Sequence, residues 1–123
     1  MATTTVLIID DAVHIRRLII RMLELSGFNT LEAADGLQGI NILKEQIPDI
    51  VTCDIAMPTM DGYAFVKAAR ENPETQHIPI VMLTATGQEE EVTKAMTLGA
   101  NAYLTKPFSS SRLLEIIRAQ LDQ

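Results

Sequence analysis

Short apolar runs alternate with longer amphipathic stretches along the whole chain. Residues 6–9 and 80–83 are apolar at every position, a pattern typical of a parallel strand that is covered on both faces. The stretches between such runs carry apolar residues at helical spacing, which predicts amphipathic helices. In the first helix these residues are Ile15, Leu18, Ile19, Met22 and Leu23. The pattern therefore predicts five strands that alternate with five helices.

The predicted strands cover residues 6–9, 29–33, 50–53, 80–83 and 102–104. Asp35 and Asp61 are placed to cap the second and third helices, and Gly99 is placed to end the fourth. On the second helix the residues expected to face inward are Ile40, Leu43 and Ile47. Alternating strands and helices with short connections predict an α/β fold, a doubly wound five-stranded parallel sheet. We expect one domain over residues 1–123.

Composition and charge narrow the class of protein. With 123 residues, 47% of them hydrophobic and 21% charged, the chain resembles an ordinary soluble domain. Its apolar runs are far shorter than the roughly 20 residues that span a membrane, and its first residues do not resemble a secretory signal. We therefore expect a cytoplasmic protein without membrane insertion. The net charge of −6 argues against direct nucleic-acid binding.

Polar residues stand where four of the predicted strands end. Asp10 and Asp11 follow the first strand, and Asp54 follows the third. Thr84 and Lys106 stand at the ends of the fourth and fifth strands. Ligands of open parallel sheets bind beyond the carboxyl ends of the strands. For the strand order 2-1-3-4-5, strands 1, 3, 4 and 5 are consecutive neighbours, so these side chains are expected to meet in one pocket.

Three carboxylates in one pocket repel each other strongly. Two unit charges 4 Å apart cost about 4 kcal/mol at an effective dielectric near 20, and the single ammonium of Lys106 offsets only part of this. Either some of the acids are protonated or a divalent cation lies among them. Oxygen ligands suit Mg²⁺, or Mn²⁺, better than zinc. Beside a metal, a hydroxyl and an ammonium, Asp54 has the surroundings needed to receive a phosphoryl group.

Five segments together resemble the receiver (CheY-like) domain of two-component response regulators. They are residues 6–11, 53–62, 78–85, 99–104 and 106–108, which occur in the family's order and at its spacing. The resemblance extends from about residue 5 to residue 121. It implies the flavodoxin-like sheet order 2-1-3-4-5. Because the chain ends directly after the fifth helix, we expect the stand-alone, single-domain type.

The resemblance implies a metal-dependent phosphoacceptor. Asp54 would take a phosphoryl group from the phosphohistidine of a sensor histidine kinase or from a phosphotransfer protein. Asp11, Asp54 and the backbone carbonyl of Ala56 would hold Mg²⁺, and Asp10 would contribute through water. The chain would then be a signalling module rather than an enzyme, although it would catalyse its own phosphorylation and dephosphorylation.

The resemblance also implies a conformational switch. Thr84 and Lys106 would bind the phosphoryl oxygens, and the Lys106–Pro107 peptide would be cis. Movement of Thr84 toward the phosphoryl group would vacate space beside Tyr103. The aromatic ring could then turn inward and change the surface of helix four, strand five and helix five, where a downstream protein target would bind.

Other interpretations share part of this pattern. A haloacid-dehalogenase enzyme also uses an aspartate, a threonine and a lysine, but it needs a second acid where this chain has Ala56. A flavodoxin should carry a Ser/Thr/Gly-rich loop after its first strand, where this chain has residues 10–13. Taken singly, Asp10 and Asp11 could merely cap the first helix, and Tyr103 could be half-buried packing. Arg16 belongs to a small basic patch that we expect to be solvated.

Overall fold

Five strands alternate with five helices in the computed structural model, which describes residues 3–122. The strands are β1 (Thr5–Ile9), β2 (Asn29–Ala33), β3 (Ile50–Asp54), β4 (Ile80–Thr84) and β5 (Ala102–Thr105). The helices are α1 (Val13–Leu25), α2 (Gly36–Glu45), α3 (Gly62–Glu71), α4 (Glu89–Leu98) and α5 (Ser110–Leu121). The alternation predicted from the apolar pattern is confirmed.

All neighbouring strands are parallel, and their order is β2-β1-β3-β4-β5, as predicted. Three strands extend one residue further than predicted, to Asp54, Thr84 and Thr105. In the register, Asp54 pairs with Leu83, and Thr84 pairs with Thr105. Asp54 and Thr84 are therefore held by the last rungs of the sheet, whereas Asp10, Asp11 and Lys106 directly follow their strands.

Alternate residues of each strand point to opposite faces of the sheet, and each face is covered. One apolar cluster joins Leu7, Ile9 and Cys53 to residues of α2, α3 and α4. The other joins Val6 and Ile8 to residues of α1 and α5. The only cysteine, Cys53, is fully buried in the core.

The predicted caps are present. The side chain of Asp35 accepts a hydrogen bond from the Gln38 amide, and that of Asp61 accepts one from the Ala64 amide. Helix α4 ends at Gly99, whose φ of 119° lies in the left-handed region that favours glycine. These contacts satisfy backbone groups that a helix end otherwise leaves unpaired.

Two predicted core positions are wrong. Ile47 is 44% exposed because α2 ends at Glu45 and the backbone of Gln46 is already extended, which takes Ile47 out of the helical repeat. Leu18 is 50% exposed because it lies at the margin of the apolar stripe of α1 and lines a surface groove beside Phe108. The buried residues of α1 are Ile19 and Leu23.

No helix within residues 3–122 is long and apolar enough to cross a membrane. The longest, α1, has 13 residues, whereas a helical span needs roughly 20.

Candidate functional site

Three aspartates meet at the carboxyl end of the sheet. Asp10 and Asp11 follow β1 directly, and Asp54 is the last residue of the neighbouring strand β3. One carboxylate oxygen from each lies within 4.8 Å of the others. Asp10 is fully buried, Asp11 is exposed, and 13% of the Asp54 side chain is exposed. The structure thus brings together the acids that the strand order places at one edge.

Lys106 provides the positive charge at this site. Its Nζ lies 3.1 Å from Oδ2 of Asp10 and 3.4 Å from Oδ1 of Asp54. The Lys106 amide donates a hydrogen bond to the carbonyl of Thr84, which fixes the lysine to the end of β4. The peptide bond from Lys106 to Pro107 is cis, as the resemblance implies. One ammonium beside three carboxylates leaves an excess of negative charge.

This charge distribution shifts the pKa of nearby groups. Burial raises the pKa of Asp54; Lys106 opposes this shift, while Asp10 and Asp11 add to it. Burial, followed by the negative charge of Asp54, raises the pKa of the Cys53 thiol well above its usual value. Cys53 is therefore held as an unreactive thiol, because the thiolate is the nucleophilic form. A cation bound beside Asp54 would favour the ionised form of this carboxyl group.

Backbone contacts hold Asp10 in place. Its Oδ1 accepts a hydrogen bond from the Ala12 amide at 2.9 Å, and its backbone carbonyl accepts one from Nη1 of Arg16 at 2.8 Å. The Ala12 residue precedes α1, which has no side-chain cap, so Asp10 does not serve as the helix cap. Arg16 also pairs with Glu32 at 2.8 Å, and only 13% of its side chain is exposed. The predicted solvated patch is wrong for this arginine.

Thr84 is buried at the end of β4, and all its hydroxyl contacts lie on the α4 side. The hydroxyl donates to Oε1 of Glu91 at 3.3 Å. It accepts hydrogen bonds from the amides of Thr86 at 3.3 Å and Gly87 at 3.1 Å. Tyr103 on β5 is 45% exposed. The inward turn of Tyr103 and the contact of Thr84 with a phosphoryl group stay predictions.

Sequence reasoning missed two contacts around the site. The first is that between Glu91 and Thr84, because the three acids at the start of α4 suggest only a favourable interaction with the helix dipole. The second is the hydrogen bond from Arg16 to the Asp10 carbonyl, since a backbone acceptor leaves no trace in the sequence. The spacing of Glu91 from Thr84, one loop and the first helical turn away, is the feature that could have indicated the first.

The chain matches the family model of the response regulator receiver domain over residues 6–118. It belongs to this family. Two solved structures share the fold over nearly the whole chain. The chemotaxis protein CheY4 of Vibrio cholerae has a TM-score of 0.92 and 32% identity, covering 96% of this chain and 98% of that one. A receiver domain from a Francisella response regulator has a TM-score of 0.90 and 28% identity, covering 98% of each chain.

Two longer relatives are transcriptional regulators. The phosphate regulon transcriptional regulatory protein PhoB of Escherichia coli is 38% identical over 114 residues, 93% of this chain and 50% of PhoB. The DNA-binding regulator RpaA of Synechocystis is 36% identical over 116 residues, 94% of this chain and 48% of RpaA. The chain thus spans about half the length of the curated relatives it matches. What it shares with them is the receiver domain of two-component signalling.

Proposed function

We propose that Asp54 accepts a phosphoryl group from the phosphohistidine of a sensor histidine kinase or of a phosphotransfer protein. The observation that carries this proposal is the position of Asp54, beside two further carboxylates and 3.4 Å from the Lys106 ammonium. Receiver domains of response regulators act with histidine kinases and downstream effectors, and this chain belongs to that family. We place the exchange in the cytoplasm and treat residues 1–123 as the phosphoacceptor unit.

Asp54 is the carboxylate best suited to be the nucleophile. Asp10 is fully buried and already engaged with Ala12 and Lys106, while Asp11 is exposed. The backbone of Asp54 is fixed in β3, and its side chain is partly exposed. A phosphoryl donor can therefore reach a carboxylate oxygen whose position is fixed.

The transfer needs no proton from this chain. An Asp54 carboxylate oxygen forms a bond to phosphorus while the phosphorus–nitrogen bond of the donor breaks. The electron pair of that bond stays on the imidazole nitrogen. With its other ring nitrogen protonated, the donor imidazole leaves as a neutral group. The product is a mixed anhydride of the Asp54 carboxyl group with phosphate.

The aspartate cluster fits a divalent metal of the Mg²⁺ type. Its donors are all carboxylate oxygens, they lie within 4.8 Å of one another, and one lysine leaves their charge in excess. Asp11, Asp54 and the backbone carbonyl of Ala56 would hold Mg²⁺ or Mn²⁺, with Asp10 contributing through water. When bound, such a metal neutralises charge that develops on the transferring phosphoryl group.

Lys106 and Thr84 are proposed to hold the phosphoryl oxygens. The Lys106 ammonium already lies 3.4 Å from Oδ1 of Asp54, so it can follow charge added to this carboxyl group without a large movement. Thr84 ends the neighbouring strand β4, and its hydroxyl is a donor that can turn toward an anion on Asp54. The lysine supplies charge, and the threonine supplies a contact that exists only when the phosphoryl group is present.

The output is proposed to pass through the switch surface, which is formed by α4, β5 and α5. Tyr103 lies on β5 within it, with 45% of the residue exposed, and can lose exposure if Thr84 moves away. The partner at this surface would be a protein, because a net charge of −6 disfavours a direct nucleic-acid contact. The negative charge added at Asp54 would shift the equilibrium between two conformations of the switch surface.

The experiment is a titration with beryllofluoride, a phosphoryl mimic, in the presence of Mg²⁺. The wild-type chain should show saturable changes in the amide resonances of Thr84 and of residues on the switch surface. Asp54→Asn should show none, since it lacks the carboxylate oxygen to which beryllium binds. Asp49→Asn removes an exposed carboxylate at the other end of β3 and serves as the matched control. A response that persists in Asp54→Asn would overturn the proposal.

A further inference from the structure

The hydroxyl of Thr84 is fully occupied in this structure, and none of its contacts involves the aspartate cluster. It accepts hydrogen bonds from the amides of Thr86 and Gly87, and it donates one to the carboxylate of Glu91 at 3.3 Å. A threonine hydroxyl has one proton and can donate one hydrogen bond at a time. A donation to Glu91 therefore excludes a donation to a group on Asp54.

Glu91 is well placed to compete for that proton. It lies in the first turn of α4 and is half-buried. Its second carboxylate oxygen accepts a hydrogen bond from the hydroxyl of Thr86 at 2.9 Å. Within residues 3–122, Glu91 forms no salt bridge, so threonine hydroxyls are the side-chain partners of its charge. A charged acceptor binds a hydroxyl more strongly than a neutral one does.

We propose that Glu91 is a positioning residue that holds the Thr84 hydroxyl toward α4 and thereby opposes the switch. This inference rests on the proposed phosphoacceptor role of Asp54. A phosphoryl group on Asp54 and the carboxylate of Glu91 then compete for one proton. Both groups are anions, so the phosphoryl group on Asp54 also repels the Glu91 carboxylate.

The two ends of α4 are held by different contacts, so the competition for the Thr84 hydroxyl acts at only one end of the helix. At the C-terminal end, the Arg70 guanidinium donates to the Gly99 carbonyl at 2.9 Å and to Oδ1 of Asn101 at 2.8 Å. These bonds do not involve the aspartate cluster. At the N-terminal end, Glu91 joins the helix to Thr84. Loss of the Glu91 carboxylate contact therefore weakens the attachment of the first turn of α4, which keeps the hydrogen bond from the Tyr63 hydroxyl to the Glu91 carbonyl at 3.5 Å, and leaves the Gly99 contact with α3 unchanged.

The test compares beryllofluoride affinity, with saturating Mg²⁺, between Glu91→Gln and the control Glu90→Gln. Both changes remove one negative charge from the first turn of α4, but Glu90 is exposed. Glu91→Gln should bind the mimic about three- to tenfold more tightly, because the free state loses a charge-assisted hydrogen bond. Glu91→Ala should bind at least as tightly as Glu91→Gln. Glu90→Gln should stay within about twofold of the wild type.

A double-mutant cycle distinguishes this role from a general charge effect. In a Thr84→Ala background there is no hydroxyl to hold, so Glu91→Gln should change the affinity no more than Glu90→Gln does. The amide resonance of Gly87 gives a direct readout, since this amide donates to the Thr84 hydroxyl at 3.1 Å. Without the mimic, Glu91→Gln should shift this resonance toward its position in the beryllofluoride complex, and Glu90→Gln should not.

Two results would overturn the inference. One is a gain in affinity on Glu91→Gln that is equal with and without the Thr84 hydroxyl. Glu91 would then act only through its charge and not through Thr84. The other is identical behaviour of Glu91→Gln and Glu90→Gln in a wild-type background. If the wild-type chain does not bind beryllofluoride, the phosphoacceptor role itself fails and the inference falls with it. Failure of the inference alone leaves wild-type binding intact.

Discussion

The Lys106 ammonium lies 3.4 Å from the Asp54 carboxylate, although strand β4 separates the two residues in the sheet. Asp54 ends β3 and Lys106 follows β5, so the lysine side chain crosses the end of β4 to reach the acid. The same ammonium is 3.1 Å from the fully buried Asp10. One long cation thus connects carboxylates from the ends of two other strands.

Replacing Lys106 by Met keeps the length of the side chain and removes its charge. Without Mg²⁺, the free energy of unfolding should fall by about 2 kcal/mol, because the buried carboxylate of Asp10 loses its ion-pair partner. Urea denaturation measures this change. Lys67→Met, at an exposed lysine of α3, is the control and should change the stability by less than about 0.5 kcal/mol. Equal losses in the two variants would show that the ion pair at the site does not stabilise the fold.

Magnesium should stabilise the folded chain through the aspartate cluster. At a free concentration one hundred times its Kd, a ligand that binds only the folded state raises the free energy of unfolding by about 2.7 kcal/mol. Chemical denaturation with Mg²⁺ and with a chelator measures this difference. Asp11→Asn should lose most of it, whereas Glu45→Gln, an exposed residue of α2, should keep it. If Mg²⁺ stabilises Asp11→Asn as much as the wild type, the metal does not bind at this cluster.

Thr52 on β3 is fully buried, and its hydroxyl has no hydrogen-bond partner among residues 3–122. Thr52→Val replaces that hydroxyl with a methyl group of similar size and should stabilise the fold by about 1 kcal/mol. Thr75→Val is the matched control, since the buried Thr75 hydroxyl donates to the Ala69 carbonyl at 2.6 Å. It should destabilise by about 1 kcal/mol or more. The same sign of change in both variants, measured by urea denaturation, would contradict this account.

Thr84→Ala should separate phosphorylation from switching. The variant keeps Asp54, Lys106 and the aspartate cluster, so acetyl phosphate with Mg²⁺ should still phosphorylate it. Because the hydroxyl that responds to the phosphoryl group is absent, the Tyr103 ring resonances should remain those of the unphosphorylated protein. Thr105→Ala, an exposed position paired with Thr84 in the sheet, is the control and should switch normally. Full movement of Tyr103 in Thr84→Ala would refute the coupling.

The five parallel strands and their polar ends could be predicted from local patterns, whereas the strand order that brings the acids together is implied by the resemblance to receiver domains. Asp54 stands at the end of an apolar run, and parallel strands bring their carboxyl ends to one edge. The spacing could indicate that a glutamate at the start of α4 reaches Thr84, but not which of the three it is. Which of three consecutive glutamates faces Thr84 depends on where α4 begins and on the angle at which it leaves the loop. The end of α2 before Ile47, by contrast, does have a local signal, because Pro48 follows Ile47 and disfavours a helical conformation at the residue before it.

The proposed function requires that the carboxylate of Asp54 carries the phosphoryl group. The most direct measurement is mass spectrometry of the wild-type chain after incubation with acetyl phosphate and Mg²⁺, followed by mapping of the modified peptide. We expect the added mass of one phosphoryl group, located on Asp54, when Mg²⁺ is present. The added mass should not appear when Mg²⁺ is removed before the incubation, and it should be absent from Asp54→Asn. A phosphoryl group mapped to any other side chain, or an unchanged yield in Asp54→Asn, would contradict the proposed function.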